Sequence, residues 1–218
     1  MSENEAAKII YLTKENRRYI YYILKRLADI LLSVLALVVL SPLFLITAIA
    51  IKFDSKGSTF YSQLRVGEKG RTFHMYKFRS MCADADKQLE NLKSLNERDG
   101  PVFKIANDPR VTRVGHFIRR TSIDELPQLI NIIKGDMSIV GPRPPLLNEV
   151  KQYTLYQMQR LSVKPGLTCY WQISGRSNIS FDEWVELDRK YIKESSLWTD
   201  FKIIVRTVPA VLFGRGAY

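Results

Sequence analysis

From Ile30 to Ile51 the chain reads ILLSVLALVVLSPLFLITAIAI without one charged residue, and no other stretch constrains the fold as strongly. A helix of about 20 apolar residues matches the hydrocarbon thickness of a bilayer. It does not read as a secretory signal, because residues 1–29 of mixed charge precede it, the apolar core is too long and no small-residue cleavage site follows. The segment is therefore expected to stay in the mature chain. Ser41-Pro42 lies in its middle, where proline removes a backbone donor and clashes with the preceding turn, so the helix must kink or break. Each half is then about 13 to 18 Å long, enough to enter one leaflet and return. Lys25 and Arg26 precede the run and Lys52 and Lys56 follow it, so neither flank carries the charge asymmetry of a spanning helix. A re-entrant hairpin with both ends in the cytoplasm satisfies the break and the charges together. A proline-kinked spanning helix stays open, since membrane helices tolerate proline.

With 218 residues the chain holds one globular domain and an attachment. Residues 1–29 are a cytoplasmic or interfacial lead-in, 30–51 the membrane segment and 52–218 the domain. The net charge of +11, from 33 basic and 22 acidic residues, calls for an anionic partner or surface; nucleic acid, anionic lipid and phosphorylated substrates all qualify. Two cysteines, Cys82 and Cys169, are too few for a disulfide framework and suit a reducing compartment. Alternation over Thr72–Phe78 predicts a strand or extended loop. Ala83–Gly100 is polar and reads as a surface helix or insertion without chemistry. Helical signals cover Phe181–Glu194 and then Leu197–Phe213, where Trp198, Phe201 and Phe213 beside Lys202 and Arg206 suit a helix at a membrane interface, or one packed on the core. The fold class that follows is α/β, mainly helical with few short strands.

The most informative stretch runs from Arg110 to Pro145. Ile123, Leu126, Leu129, Ile130 and Ile133 recur at helical spacing and Lys134-Gly135 makes a stop, predicting a helix from near Ser122 or Asp124 to near Lys134. The following GDMSIVGPRPP is too rich in Gly and Pro for more than a loop or short extended piece. Ser122 and Glu125 fit an S-x-x-E capping box, and acids suit a first turn on electrostatic grounds alone. The same position attracts phosphate, so Asp124 and Glu125 also suit nucleophilic attack and binding of a hard cation such as Mg²⁺. Arg119, Arg120 and Arg143 lie close in sequence. Lys77 and Arg79 in YKFRS and Arg176 in SGRS are further candidates for phosphate, although each singly reads as a surface charge. His74 and His116 have no metal-ligand spacing, no P-loop or dinucleotide motif is present, and the cysteines read as packing residues.

Taken in order, KRLAD before an apolar run broken by Ser-Pro, then YKFRSM, IRRTSIDELPQLINIIKGDMSIVGPRP, KPGLT and WQISGRSNISF resemble the monotopic phosphoglycosyl transferases, or bacterial sugar transferases, from Lys25 to the C-terminus. The resemblance implies a re-entrant helix broken at Ser41-Pro42 and a cytoplasmic domain on the bacterial inner membrane. It implies Asp124 as nucleophile, Glu125 with Asp124 at Mg²⁺, and Lys77, Arg119, Arg143 and Arg176 at substrate phosphates or nucleotide. The implied reaction moves a hexose phosphate, glucose or galactose, from a UDP-sugar to undecaprenyl phosphate with release of UMP, as the first membrane step of exopolysaccharide or capsule synthesis. Membrane lipid is then a partner, nucleic acid is not, and a homodimer stays open. Lys164 and Cys169 depart from the usual motif residues. Two other classes compete: a non-catalytic assembly protein of polysaccharide synthesis, and a membrane-attached nucleic-acid-binding protein suggested by the basic clusters.

Overall fold

The computed structural model describes residues 19–97, 99–175 and 179–212; Arg176 and Phe213 lie outside these described residues. The apolar run folds as two helices, α1 (Tyr19–Val39) and α2 (Ser41–Asp54), bent by 61° across Leu40. Pro42 sits in the first turn of α2, where its missing N–H has no intrahelical acceptor to lose, and the Ser41 hydroxyl donates to the Val38 carbonyl at 2.8 Å. Among the described residues no single helix is long and apolar enough to cross a membrane; the bent pair passes that test only together.

One stripe of α1 faces the rest of the protein. Asp29 and Ser33 are buried there, and Ala36 and Leu37 pack on Phe73, Met75, Leu129, Ile132 and Met137. The opposite stripe, with Leu27, Leu31 and Leu35, is exposed at the four-residue spacing of one helix face. The basic flank of the sequence reading has a tertiary use. Arg26 donates Nη2 to the Ile133 carbonyl at 2.7 Å and Nη1 to that of Ile132, while Lys25 pairs with Asp200 at 2.8 Å. Asp29 accepts from the Ile139 amide at 3.0 Å. These contacts fix the bent helix pair to the domain.

β1 (Phe60–Val66) and β2 (Thr72–Phe78) form an antiparallel pair in which Phe60 faces Phe78 and Val66 faces Thr72. The strand predicted over Thr72–Phe78 is present with those bounds. A surface helix α3 (Ala85–Leu92) follows, then α4 (Arg113–Arg120) and α5 (Gln128–Lys134). Gly135 ends α5 at φ 95, the left-handed stop expected after Lys134. β3 (Ser138–Val140) pairs parallel with β4 (Gly166–Thr168). Gly141 and Gly166 meet beyond β3: a Cβ on Gly166 would lie 2.0 Å from the Gly141 nitrogen, so only glycine permits this approach. The short helices α6 (Leu147–Val150), α7 (Leu155–Met158) and α8 (Tyr170–Ile173) precede α9 (Phe181–Glu194) and α10 (Leu197–Leu212). α9 has the bounds its sequence signals give, and Ser180 and Glu183 cap it reciprocally.

Two features hold this end together. Arg160 donates Nε to Asp188 at 2.9 Å, and both side chains are almost fully buried beneath Trp184, whose ring lies 4.7 Å from the guanidinium. In α10, Ile203 is fully buried, whereas Trp198, Phe201, Val205 and Val208 are exposed along one face. The helix thus packs on the core and also presents an apolar stripe outward.

Candidate active site

The predicted helix from Ser122 to Lys134 is divided in two. Ser122 adopts φ 57, a left-handed conformation, and its side chain makes no capping bond, so the expected Ser122–Glu125 capping box is absent. Asp124 and Glu125 instead occupy a short 3-10 turn, Ile123–Glu125, and α5 starts only after Pro127, which has no N–H to continue a helical ladder. The division turns the acids away from a helix end and toward a cavity of about 800 Å³.

Three elements bring cations to this cavity. β2 carries Lys77 on the face it shares with Met75, and Lys77 Nζ meets Glu125 Oε1 at 2.8 Å. Arg119 comes from the last turn of α4; its Nη1 is buried and has no hydrogen-bond partner among the described residues. Arg143 follows β3 in the GPRPP loop, with its guanidinium 5.8 Å from the Trp171 ring and 6.0 Å from that of Trp184. That loop is held by Arg65, which donates Nη1 to the Pro144 carbonyl at 3.0 Å, and by the Val66 amide, which donates to Pro145 at 2.9 Å. Asn131, fully buried in α5, accepts from the Tyr76 amide at 2.9 Å and donates to the His74 carbonyl at 2.7 Å. The α5–β2 seam therefore sets where Lys77 stands relative to Glu125.

Asp124 is 8 % exposed and lacks a hydrogen bond or ion pair from any other side chain among the described residues. Burial pushes its pKa up to about 6; the nearby Lys77 and Arg119 charges oppose the shift and Glu125 adds to it. Four cations, Lys77, Lys104, Arg119 and Arg143, line the cavity against the two carboxylates Asp124 and Glu125. The excess of positive charge in a partly enclosed space suits a polyanion. Two hard oxygen donors on one turn, without a third His, Cys, Asp or Glu in a metal-holding group among the described residues, also fit a cation that completes its shell with substrate oxygens. Mg²⁺ uses one or two carboxylates plus phosphates in that way.

Of the residues singled out by sequence, Asp124, Glu125, Lys77, Arg119 and Arg143 meet at this cavity. Arg79 does not: it is buried and donates to the Ser55 and Lys56 carbonyls at 2.7 and 2.8 Å, bracing the chain after α2. Arg120 is exposed and outside the lining. His74 and His116 are exposed, and Cys169 is fully buried in packing. Sequence reading missed Val102, Phe103 and Lys104, which follow the supposedly inert insertion and reach the cavity beside Trp171 and Trp184. Asn96 clamps this loop, donating to the Val102 carbonyl at 3.1 Å and accepting from the Lys104 amide at 2.9 Å, and Asp99 accepts from the Phe181 amide at 2.8 Å. These bonds span six residues or more, so no local pattern in the sequence marks the loop.

A family model described as bacterial sugar transferase matches residues 20–214. The galactosyl transferase CpsE of Streptococcus agalactiae is 46% identical over 214 residues, 98% of this chain and 47% of that protein. The exopolysaccharide production protein ExoY of Sinorhizobium fredii is 44% identical over 198 residues, 89% of this chain and 88% of that protein. The UDP-glucose:undecaprenyl-phosphate glucose-1-phosphate transferase of Escherichia coli is 41% identical over 204 residues, 90% of this chain and 42% of that protein. The chain thus spans less than half the length of the first and third of these relatives.

Proposed function

The chain belongs to the bacterial sugar transferase family, and on that premise we propose that Asp124 is the nucleophile of a two-step transfer of a hexose phosphate from a UDP-sugar to undecaprenyl phosphate. The carrying observation is a buried carboxylate with no side-chain partner among the described residues, set in a cavity lined by Lys77, Arg119 and Arg143. Burial pushes its pKa up to about 6, which still leaves a carboxylate available at neutral pH, and its desolvation keeps it reactive.

In the first step an Asp124 carboxylate oxygen attacks the β-phosphorus of the donor. The bond from that phosphorus to the bridging oxygen breaks, and UMP leaves with the electron pair. The sugar phosphate is then held as an acyl phosphate. In the second step a phosphate oxygen of the lipid attacks the same phosphorus, the bond to Asp124 breaks, and the carboxylate is restored. Lys77, Arg119 and Arg143 offset the charge that two approaching anions accumulate. Arg119 Nη1, a buried donor without a partner among the described residues, suits a phosphate oxygen. Asp124 and Glu125 would hold Mg²⁺, which when bound supplies further neutralisation of the diphosphate.

The hexose is glucose or galactose, the two sugars in the names of the Escherichia coli and streptococcal relatives. The place of action is the cytoplasmic face of the bacterial inner membrane, with α1 and α2 re-entering the same side. The product is the first lipid-linked sugar of an exopolysaccharide or capsule. Incubating the purified protein with UDP-glucose or UDP-galactose, undecaprenyl phosphate and Mg²⁺ is expected to release UMP, and EDTA is expected to stop the release. Release of UDP would mean direct glycosyl transfer and would overturn the scheme; no nucleotide release with either donor would favour the assembly protein.

A further inference from the structure

The cavity that contains Asp124 has a second wall of different chemistry. Leu40 and Leu43 enter it from the bend between α1 and α2, and Ile204 and Val208 enter it from α10. A UDP-sugar offers phosphates, hydroxyls and a polar base, none of which gains from four aliphatic side chains. The wall also continues outward. Val205 and Val208 are 51 % and 55 % exposed on α10, and Val38, Val39 and Leu45 are exposed beside the bend, so the cavity's apolar side merges with the apolar outer surface of the hairpin. Thr207, the polar side chain between Ile204 and Val208, is turned inward: its hydroxyl donates to the Ile203 carbonyl at 2.7 Å and lies 2.7 Å from that of Thr168, tying α10 to β4.

We infer that the gap between the Leu40–Leu43 bend and the Ile204–Val208 face of α10 is the lateral port for a polyprenyl phosphate, with its first isoprene units on these side chains and its phosphate at Arg119 and Asp124. The inference rests on the proposed transfer, and adds where the acceptor enters and what reads its hydrocarbon. An amphiphile with an anionic head and an aliphatic tail is the one ligand class that satisfies both walls of one cavity at once. The donor then enters beside Val102, Phe103 and Lys104, which line the same cavity from a separate loop. The two substrates need not share a doorway, which suits a mechanism whose steps are separate.

The test uses the full chain in phosphatidylglycerol liposomes with a polyprenyl phosphate carrying a photoreactive diazirine on its first isoprene units. Crosslinks are expected on Leu43, Ile204 or Val208, suppressed by excess undecaprenyl phosphate. Crosslinks confined to Trp198 or Leu27 on the outer faces, or ones that undecaprenyl phosphate leaves unchanged, would overturn the port and mean contact with bulk lipid only. In parallel, Val208→Asn is expected to slow discharge of the sugar-phosphate adduct by undecaprenyl phosphate at least tenfold more than it slows the preceding UMP burst. Unchanged discharge, or equal loss of burst and discharge, would contradict the assignment. A wild-type protein without a UMP burst would instead count against the proposed transfer, and the crosslinks would still decide whether the lipid occupies the port.

Discussion

Asp124 and Asp188 are two buried carboxylates whose pKa burial raises by similar amounts, each to about 6, and they have opposite surroundings. Asp188 is completely enclosed and receives Nε and Nη2 of Arg160 on one oxygen; burial pulls Arg160 down, but the neighbouring carboxylate outweighs it and keeps the guanidinium charged. Asp124 faces a cavity with Lys77 engaged by Glu125 and Arg119 Nη1 unpartnered among the described residues. One acid has its countercharge built in, and the other has countercharges arranged around an open space. The difference separates a structural ion pair from a site that expects a ligand, although composition and pKa alone would rank the two alike.

Substituting each acid by its amide should divide them. The largest effect is expected for Asp124→Asn, which should lower UMP release by at least about three orders of magnitude, read in a single-turnover assay with folding checked by circular dichroism. Asp188→Asn should retain Asp124 and its cavity but leave a buried guanidinium without its carboxylate, costing about 3–5 kcal/mol in thermal or denaturant unfolding. Equal stability of this variant and the wild type would remove the structural reading of the Arg160 pair.

For stability the sign reverses at Asp124. Folding holds its proton more tightly than the unfolded chain does, so native stability falls as pH rises from about 4 through about 6. Asp124→Asn should therefore match the wild type at pH 4 and exceed it at pH 8, by up to about 3 kcal/mol for a shift from 3.8 to about 6. Melting curves of metal-free protein at the two pH values measure this. The smallest effect concerns Lys77, whose charge eases ionisation of Asp124. Lys77→Met should move the acidic limb of the UMP burst to higher pH, and a limb that moves down would put the controlling charge elsewhere.

Local chemistry made much of the fold legible. Helical character over Phe181–Glu194 marks α9, alternation marks β2, and Gly135 marks the end of α5, because each depends on residues a few positions apart. The acid turn was misread for the same reason. Its apolar spacing is helical, but the left-handed Ser122 and the position of Pro127 split it, and the spacing pattern does not register backbone handedness. Arg79 and Arg143 look alike in sequence, yet one braces the chain after α2 and the other faces the cavity. Lys104 and Asp124 come to line one cavity, and Arg160 and Asp188 come to pair, only through packing of distant segments, which periodicity does not encode.

The most direct test of Asp124 as the group that carries the sugar phosphate is intact-protein mass spectrometry after incubation with Mg²⁺ and UDP-glucose or UDP-galactose, without lipid acceptor. Wild type and a folded Asp188→Asn should gain the mass of one hexose phosphate, mapped by peptide analysis to Asp124 and discharged by undecaprenyl phosphate, and Asp124→Asn should gain none. An adduct that persists in Asp124→Asn, or UMP release from the wild type without any adduct, would contradict a covalent role for this carboxylate.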